Sequence, residues 1–152
     1  DGSFSFATAL ADTSSYAVTV STQPSSPNQT CTISNGSGSI SGADVSNVSV
    51  ACVTNTYAIS GTASGVSGSG LVLQNNAGDD LSIGANGDFS FDTPLVADTD
   101  YLVTVLGQPT NPSQVCSVSN ESGTVTDSDI NDVAVICVTK PDKVFSDSFE
   151  DM

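Results

Sequence analysis

The sequence repeats itself at a constant offset of 85 residues, and this limits the possible folds more than any other feature. Gly2-Ser3-Phe4-Ser5-Phe6 matches Gly87-Asp88-Phe89-Ser90-Phe91, and Tyr16-Ala17-Val18-Thr19-Val20 matches Tyr101-Leu102-Val103-Thr104-Val105. Gln23-Pro24 matches Gln108-Pro109, Ser34-Asn35 matches Ser119-Asn120, and Val48, Val50 and Cys52 match Val133, Val135 and Cys137. Roughly 25 of 54 aligned positions are identical without a gap. Self-similarity of that kind means one structural unit used twice. The second copy is preceded by Tyr57 to Asn86, which contains Tyr57-Ala58-Ile59-Ser60-Gly61, Gly70-Leu71-Val72-Leu73-Gln74-Asn75 and Asp80-Leu81-Ser82-Ile83. The first copy has no such preamble, because residue 1 corresponds to residue 86. The expected organisation is an incomplete unit over 1–54, a complete one over 55–139 and a tail over 140–152.

Within each copy, apolar residues alternate with period two: Phe89 with Phe91, then Tyr101, Val103 and Val105, then Val133, Val135 and Cys137. That period places each set on one face of a strand. Asn35-Gly36-Ser37-Gly38, Asn75-Asn76-Ala77-Gly78 and Asn86-Gly87 supply turns between the runs. About seven strands with turns every 8 to 12 residues predict an all-β fold of immunoglobulin-like or fibronectin-like sandwiches, the first lacking its opening strands. There is no amphipathic helix; Ser41 to Asn47 and Thr126 to Asp132 are compatible with a single helical turn.

Cys31 and Cys52 are 21 residues apart, as are Cys116 and Cys137, so one disulfide per repeat is the simplest pairing. Closing such a loop stabilises by about 3 kcal/mol in the chain-entropy model. Disulfides point to an oxidising, extracellular or cell-surface location. Buried free thiols are the alternative, and the lack of both Cys-x-x-Cys spacing and His argues against zinc.

Composition removes most other roles. The chain has 17 acidic residues, two basic ones, no His and no Trp, for a net charge of −15. Lys140 and Lys143 are the only cations, so nothing neutralises a nucleic-acid backbone or an anionic membrane. No run approaches the ~18 apolar residues of a membrane span. Residue 1 does not open a signal peptide, and a mature, soluble product is expected. Without His there is no Ser-His-Asp or Cys-His nucleophile, so no enzyme and no cofactor are expected. The two glutamates, Glu121 and Glu150, lie in a hairpin turn and the tail, outside any recognisable cleft-forming context; a carboxylate hydrolase is the one enzyme reading left, and replacing Glu121 would test it.

Asp127-Ser128-Asp129-Ile130-Asn131-Asp132 begins like an oxygen-ligand calcium loop, making Asp127, Asp129 and Asp132 a weak metal candidate. It lacks the sixth-position Gly and carries Val138 in place of a closing Glu, so a solvated turn is the simpler reading; the first copy keeps only Asp44. Four Asn-x-Ser/Thr sequons are expected from composition alone. The tail places Phe145 and Phe149 on one face of an extended segment after Pro141.

The block Gly65 to Asn76, with Asp79-Asp80-Leu81, Gly87-Asp88-Phe89-Ser90-Phe91 and the span Cys116 to Cys137, resembles the tandem Ig-like repeats of secreted and surface proteins of Gram-negative bacteria. Val144-Phe145-Ser146-Asp147-Ser148-Phe149-Glu150 is similar to a short C-terminal motif of exported proteins in that group. The resemblance implies a stalk or adhesive surface role without catalytic residues.

A sandwich lacking its first strands exposes apolar surface and unpaired backbone. Three sources of completion are open: residues 55 to 86, including Leu71 and Leu73, folded back onto the first copy so that residues 87 to 139 accept the equivalent segment of the next subunit; the tail, through Val144, Phe145 and Phe149, added as a strand to a neighbour's first copy; or further residues of a longer repeat protein. The first two amount to strand donation between copies, a head-to-tail homopolymer forming a surface filament. The other expectation is an adhesin or carbohydrate-binding stalk module with a host or glycan ligand.

Overall fold

Val, Thr, Ile and Tyr alternating with Ser, Asn and Gly favour pleated strands over helix. The computed structural model describes residues 2–141, and within them it contains strands and no helix. The chain divides into two units between Asn55 and Thr56.

The first unit contains β1 (Ser15–Ala17), β2 (Gln29–Ser34), β3 (Ser37–Ser39) and β4 (Ser49–Thr54). β1 pairs antiparallel with β3, and β2 with β4, giving two separate two-stranded ribbons. Asn35 turns β2 into β3 with a φ of 55°, a left-handed conformation that Asn tolerates better than most residues. Its side-chain amide donates to the Asn47 carbonyl at 3.0 Å.

The second unit contains β5 (Thr56–Tyr57), β6 (Ile59–Ser64), β7 (Leu71–Asn75), β8 (Asp79–Ile83), β9 (Gly87–Ser90), β10 (Leu95–Val96), β11 (Thr99–Gly107), β12 (Gln114–Ser119), β13 (Ser122–Val125) and β14 (Ile130–Thr139). Two four-stranded sheets form, ordered β13-β11-β7-β8 and β12-β14-β6-β9, with β5 and β10 as a short separate ribbon. Inward residues of both sheets make one core that includes Ile59, Leu71, Leu73, Val103, Val133 and Val135, each at most 1% exposed. The core therefore lies between the sheets, in a sandwich-like arrangement.

All of these pairings are antiparallel except β6 on β14, which is parallel. Its register shifts between Ile130 and Val133, and there Gly61 meets the partner strand so closely that an added Cβ would lie 1.8 Å from the Val133 carbonyl oxygen. Only glycine fits that contact.

Cys31 is bonded to Cys52 and Cys116 to Cys137. Each bond links directly opposed residues of adjacent strands, β2 with β4 and β12 with β14, so each staples one sheet.

Neither segment compatible with a helical turn forms one. Ser41 to Asn47 is irregular, and Thr126 to Asp132 is taken over by β14 from Ile130 onward. The reason is long-range: the Ile130 amide donates to the Ala58 carbonyl at 3.0 Å, which draws the segment into extended pairing.

Candidate functional site, an open face in the first unit

The strands of the first unit fall on those of the second at the repeat offset, and in the same register. Cys31 opposes Cys52 as Cys116 opposes Cys137, and Tyr16 opposes Gly38 as Tyr101 opposes Gly123. Local side-chain bonds are duplicated too. Gln23 and Gln108 each exchange two hydrogen bonds with the backbone of Cys31 and Cys116, at 2.7–3.2 Å. Tyr16 and Tyr101 each donate to the carbonyl of the turn Asn, at 3.3 Å. The two copies thus fold alike locally.

They differ in what covers them. In the second unit, β14 is flanked by β6 and β11 by β7; in the first, β4 and β1 have no such neighbours among the described residues. Gly2 to Ser5 corresponds to β9 and Leu10-Ala11 to β10, yet neither forms a strand. Their partners in the second unit are β6 and β5, which have no counterpart in the first unit.

The face that would be interior is accordingly open. Phe4 and Phe6 are 51% and 68% exposed, against 8% and 4% for Phe89 and Phe91. Val50 is 45% exposed, against 1% for Val135. Phe4 and Phe6 still pack edge to face at 6.0 Å, and with Val18, Val20, Cys31 and Val50 they line an apolar depression of about 330 Å³. Cys52 is exposed, whereas Cys137 is buried.

Two polar side chains identical in both copies show what the second unit uses them for. Gln114, 1% exposed, accepts from the amides of Ser67 and Gly68 at 2.9 and 2.8 Å and donates to the Gly65 carbonyl at 2.7 Å. It clamps the loop between β6 and β7. Asp129 accepts from the Ala58 amide at 2.8 Å and so fixes the approach to β6. Their counterparts are Gln29 and Asp44. Gln29 donates instead to the Thr54 hydroxyl at 3.1 Å.

The sequence-predicted residues are distributed as follows. Leu71 and Leu73 are in the core of the second unit, 1% and 0% exposed. Val144, Phe145 and Phe149 lie outside the described residues. Of the calcium candidates, Asp129 holds the Ala58 amide and Asp127 accepts from the Thr126 hydroxyl at 3.2 Å. No group of three or more His, Cys, Asp or Glu side chains converges among the described residues. Gln29 and Gln114 went unnoticed in the sequence, although their identity across the copies was there to find.

One phenol is perturbed: burial, then the nearby charges of Asp132 and Glu121, push the Tyr101 hydroxyl above its ordinary pKa of 10.0.

In comparisons with known proteins, no family model, no curated protein and no solved structure matches the chain.

Proposed function

We propose that the chain is a structural, non-catalytic subunit of an extracellular surface filament, built of tandem Ig-like repeats with one disulfide each and joined to its neighbours by β-strand donation. The observation that carries this reading is the contrast between two sets of corresponding strands: β9–β14 are covered by β5–β8, while β1–β4, with Phe4 and Phe6 before them, leave their apolar face in solvent. Monomeric proteins seldom leave so large an apolar face uncovered, and paired strand edges are the usual means of closing one. Donation of this kind joins subunits head to tail, which generates an open filament when the rotation does not close. The disulfides fit an oxidising compartment.

The test is negative-stain electron microscopy with sedimentation analysis of the oxidised chain over a range of concentration and salt. A net charge of −15 makes like subunits repel, so assembly is expected to be weak at low ionic strength and to grow toward about 0.15 M, where the screening length is ~8 Å. A chain that sediments as a monomer at every concentration and salt tested overturns the filament reading.

A further inference from the structure

We propose that the open face of the first unit is an acceptor for one kind of occupant, a polypeptide segment with the pattern of Thr56–Ile83, supplied in addition to the copy already built into the second unit. This rests on the strand-donation reading and specifies its donor.

The second unit serves as the template. There β6 runs parallel to β14, pairing Gly61 with Val133 and Ala63 with Val135, and the counterparts of those two valines are Val48 and Val50. β7 runs antiparallel to β11, pairing Leu73 with Val105, Gln74 with Thr104 and Asn75 with Val103. The counterparts there are Val20, Thr19 and Val18, the same residues in the same order. The acceptor positions for both strands are therefore retained.

The polar hooks are retained as well. Gln114 and Asp129 spend their side-chain bonds on the backbone of residues 58–68, which belong entirely to the covering segment. Gln29 and Asp44 repeat those residue types at the repeat offset, although the first unit contains nothing equivalent to residues 58–68. In the second unit these two side chains bond only the covering segment, so their repetition in the first unit points to such a segment, with Gln29 turned to the Thr54 hydroxyl in its absence.

The described residues do not themselves hold a second such segment. Residues 2–141 hold two acceptor halves, β1–β4 with the residues before them and β9–β14, but only one covering segment, β5–β8. Moving that segment onto a neighbour's first unit uncovers its own β11 and β14, so exchange closes one face by opening another. Net closure requires a further copy of the pattern.

The experiment mixes the full oxidised chain with a synthetic peptide spanning Thr56 to Gly84. Saturable binding of one peptide per chain is expected, together with at least ~10-fold slower reduction of Cys31–Cys52, because a completed core would bury Cys52 as Cys137 is buried in the second unit. Gly61→Val in the peptide and, separately, Val50→Asp in the chain should each weaken binding by ~100-fold or more. Absence of saturable binding at ~1 mM peptide overturns the proposal. So does binding that leaves reduction of Cys31–Cys52 unchanged, or that survives Val50→Asp, since it would then lie elsewhere. Filaments that form while the peptide fails to bind sink this donor but not the filament; peptide capture by a chain that never assembles does the reverse.

Discussion

Cys52 and Cys137 occupy corresponding places, each 21 positions from its bonded partner, yet Cys52 is exposed and Cys137 only 4% exposed, while their partners Cys31 and Cys116 are both buried. Thiol–disulfide exchange needs a thiolate to reach a sulfur, so access decides the rate when geometry is shared. Under limiting reductant, Cys31–Cys52 is expected to open first, by roughly tenfold or more, as read by differential alkylation and mass spectrometry. Equal rates would mean that the first unit's face is covered. Tyr101 gives a second residue-scale test. Its folded-state pKa lies above the ordinary 10.0 because burial and two nearby carboxylates disfavour the phenolate. The fold therefore favours the protonated form: this contribution is fully present below pH 10.0 and is lost as pH rises from there through the folded-state value. Tyr101→Phe should flatten that alkaline decline in a denaturant series taken from pH 8 to 12, at a cost of about 1 kcal/mol near neutrality for the lost hydrogen bond.

At the scale of the element, β4 and the last six residues of β14 share a sequence pattern but not a role: β14 is central in a four-stranded sheet and β4 is an edge. Val135→Ala, at a position 1% exposed, should destabilise the second unit by about 1–3 kcal/mol through lost burial and a residual cavity, whereas Val50→Ala, at a position 45% exposed, should cost the first unit well under 1 kcal/mol. Chemical denaturation of the two variants reads the difference directly. The strands themselves were legible in the sequence, because period-two runs and Asn-Gly turns are local signals, and the 85-residue offset singled out the cysteine pairs. Other features could not be read locally. Asp129 looked like a metal ligand or a solvated turn, since its partner, the Ala58 amide, is 71 residues away. Nothing in the run Tyr57-Ala58-Ile59-Ser60-Gly61 marks its glycine as special; the need for it comes from the Val133 carbonyl, 72 residues away, at the register shift against β14. β5 and β10, two residues each, are too short to show a period at all.

For the whole molecule, two properties act together: a charge of −15 that opposes casual association, and an apolar face in the first unit that favours a matching segment. Charge of one sign discourages unselective contacts, while backbone pairing and apolar fit select among segments that do approach. The parallel pairing of β6 with β14 adds something that neither charge nor burial supplies. Tension applied across the second unit pulls these two strands in opposite directions along their length, so Ile59 to Ser64 must slide past Ile130 to Ile136 and its cross-strand bonds share the load instead of parting one at a time. Rupture under force is governed by the unfolding barrier, and shear raises that barrier. Should it give way, the Cys116–Cys137 link withholds the stretch between those cysteines, which are 21 positions apart, from extension, like a knot tied partway along a rope.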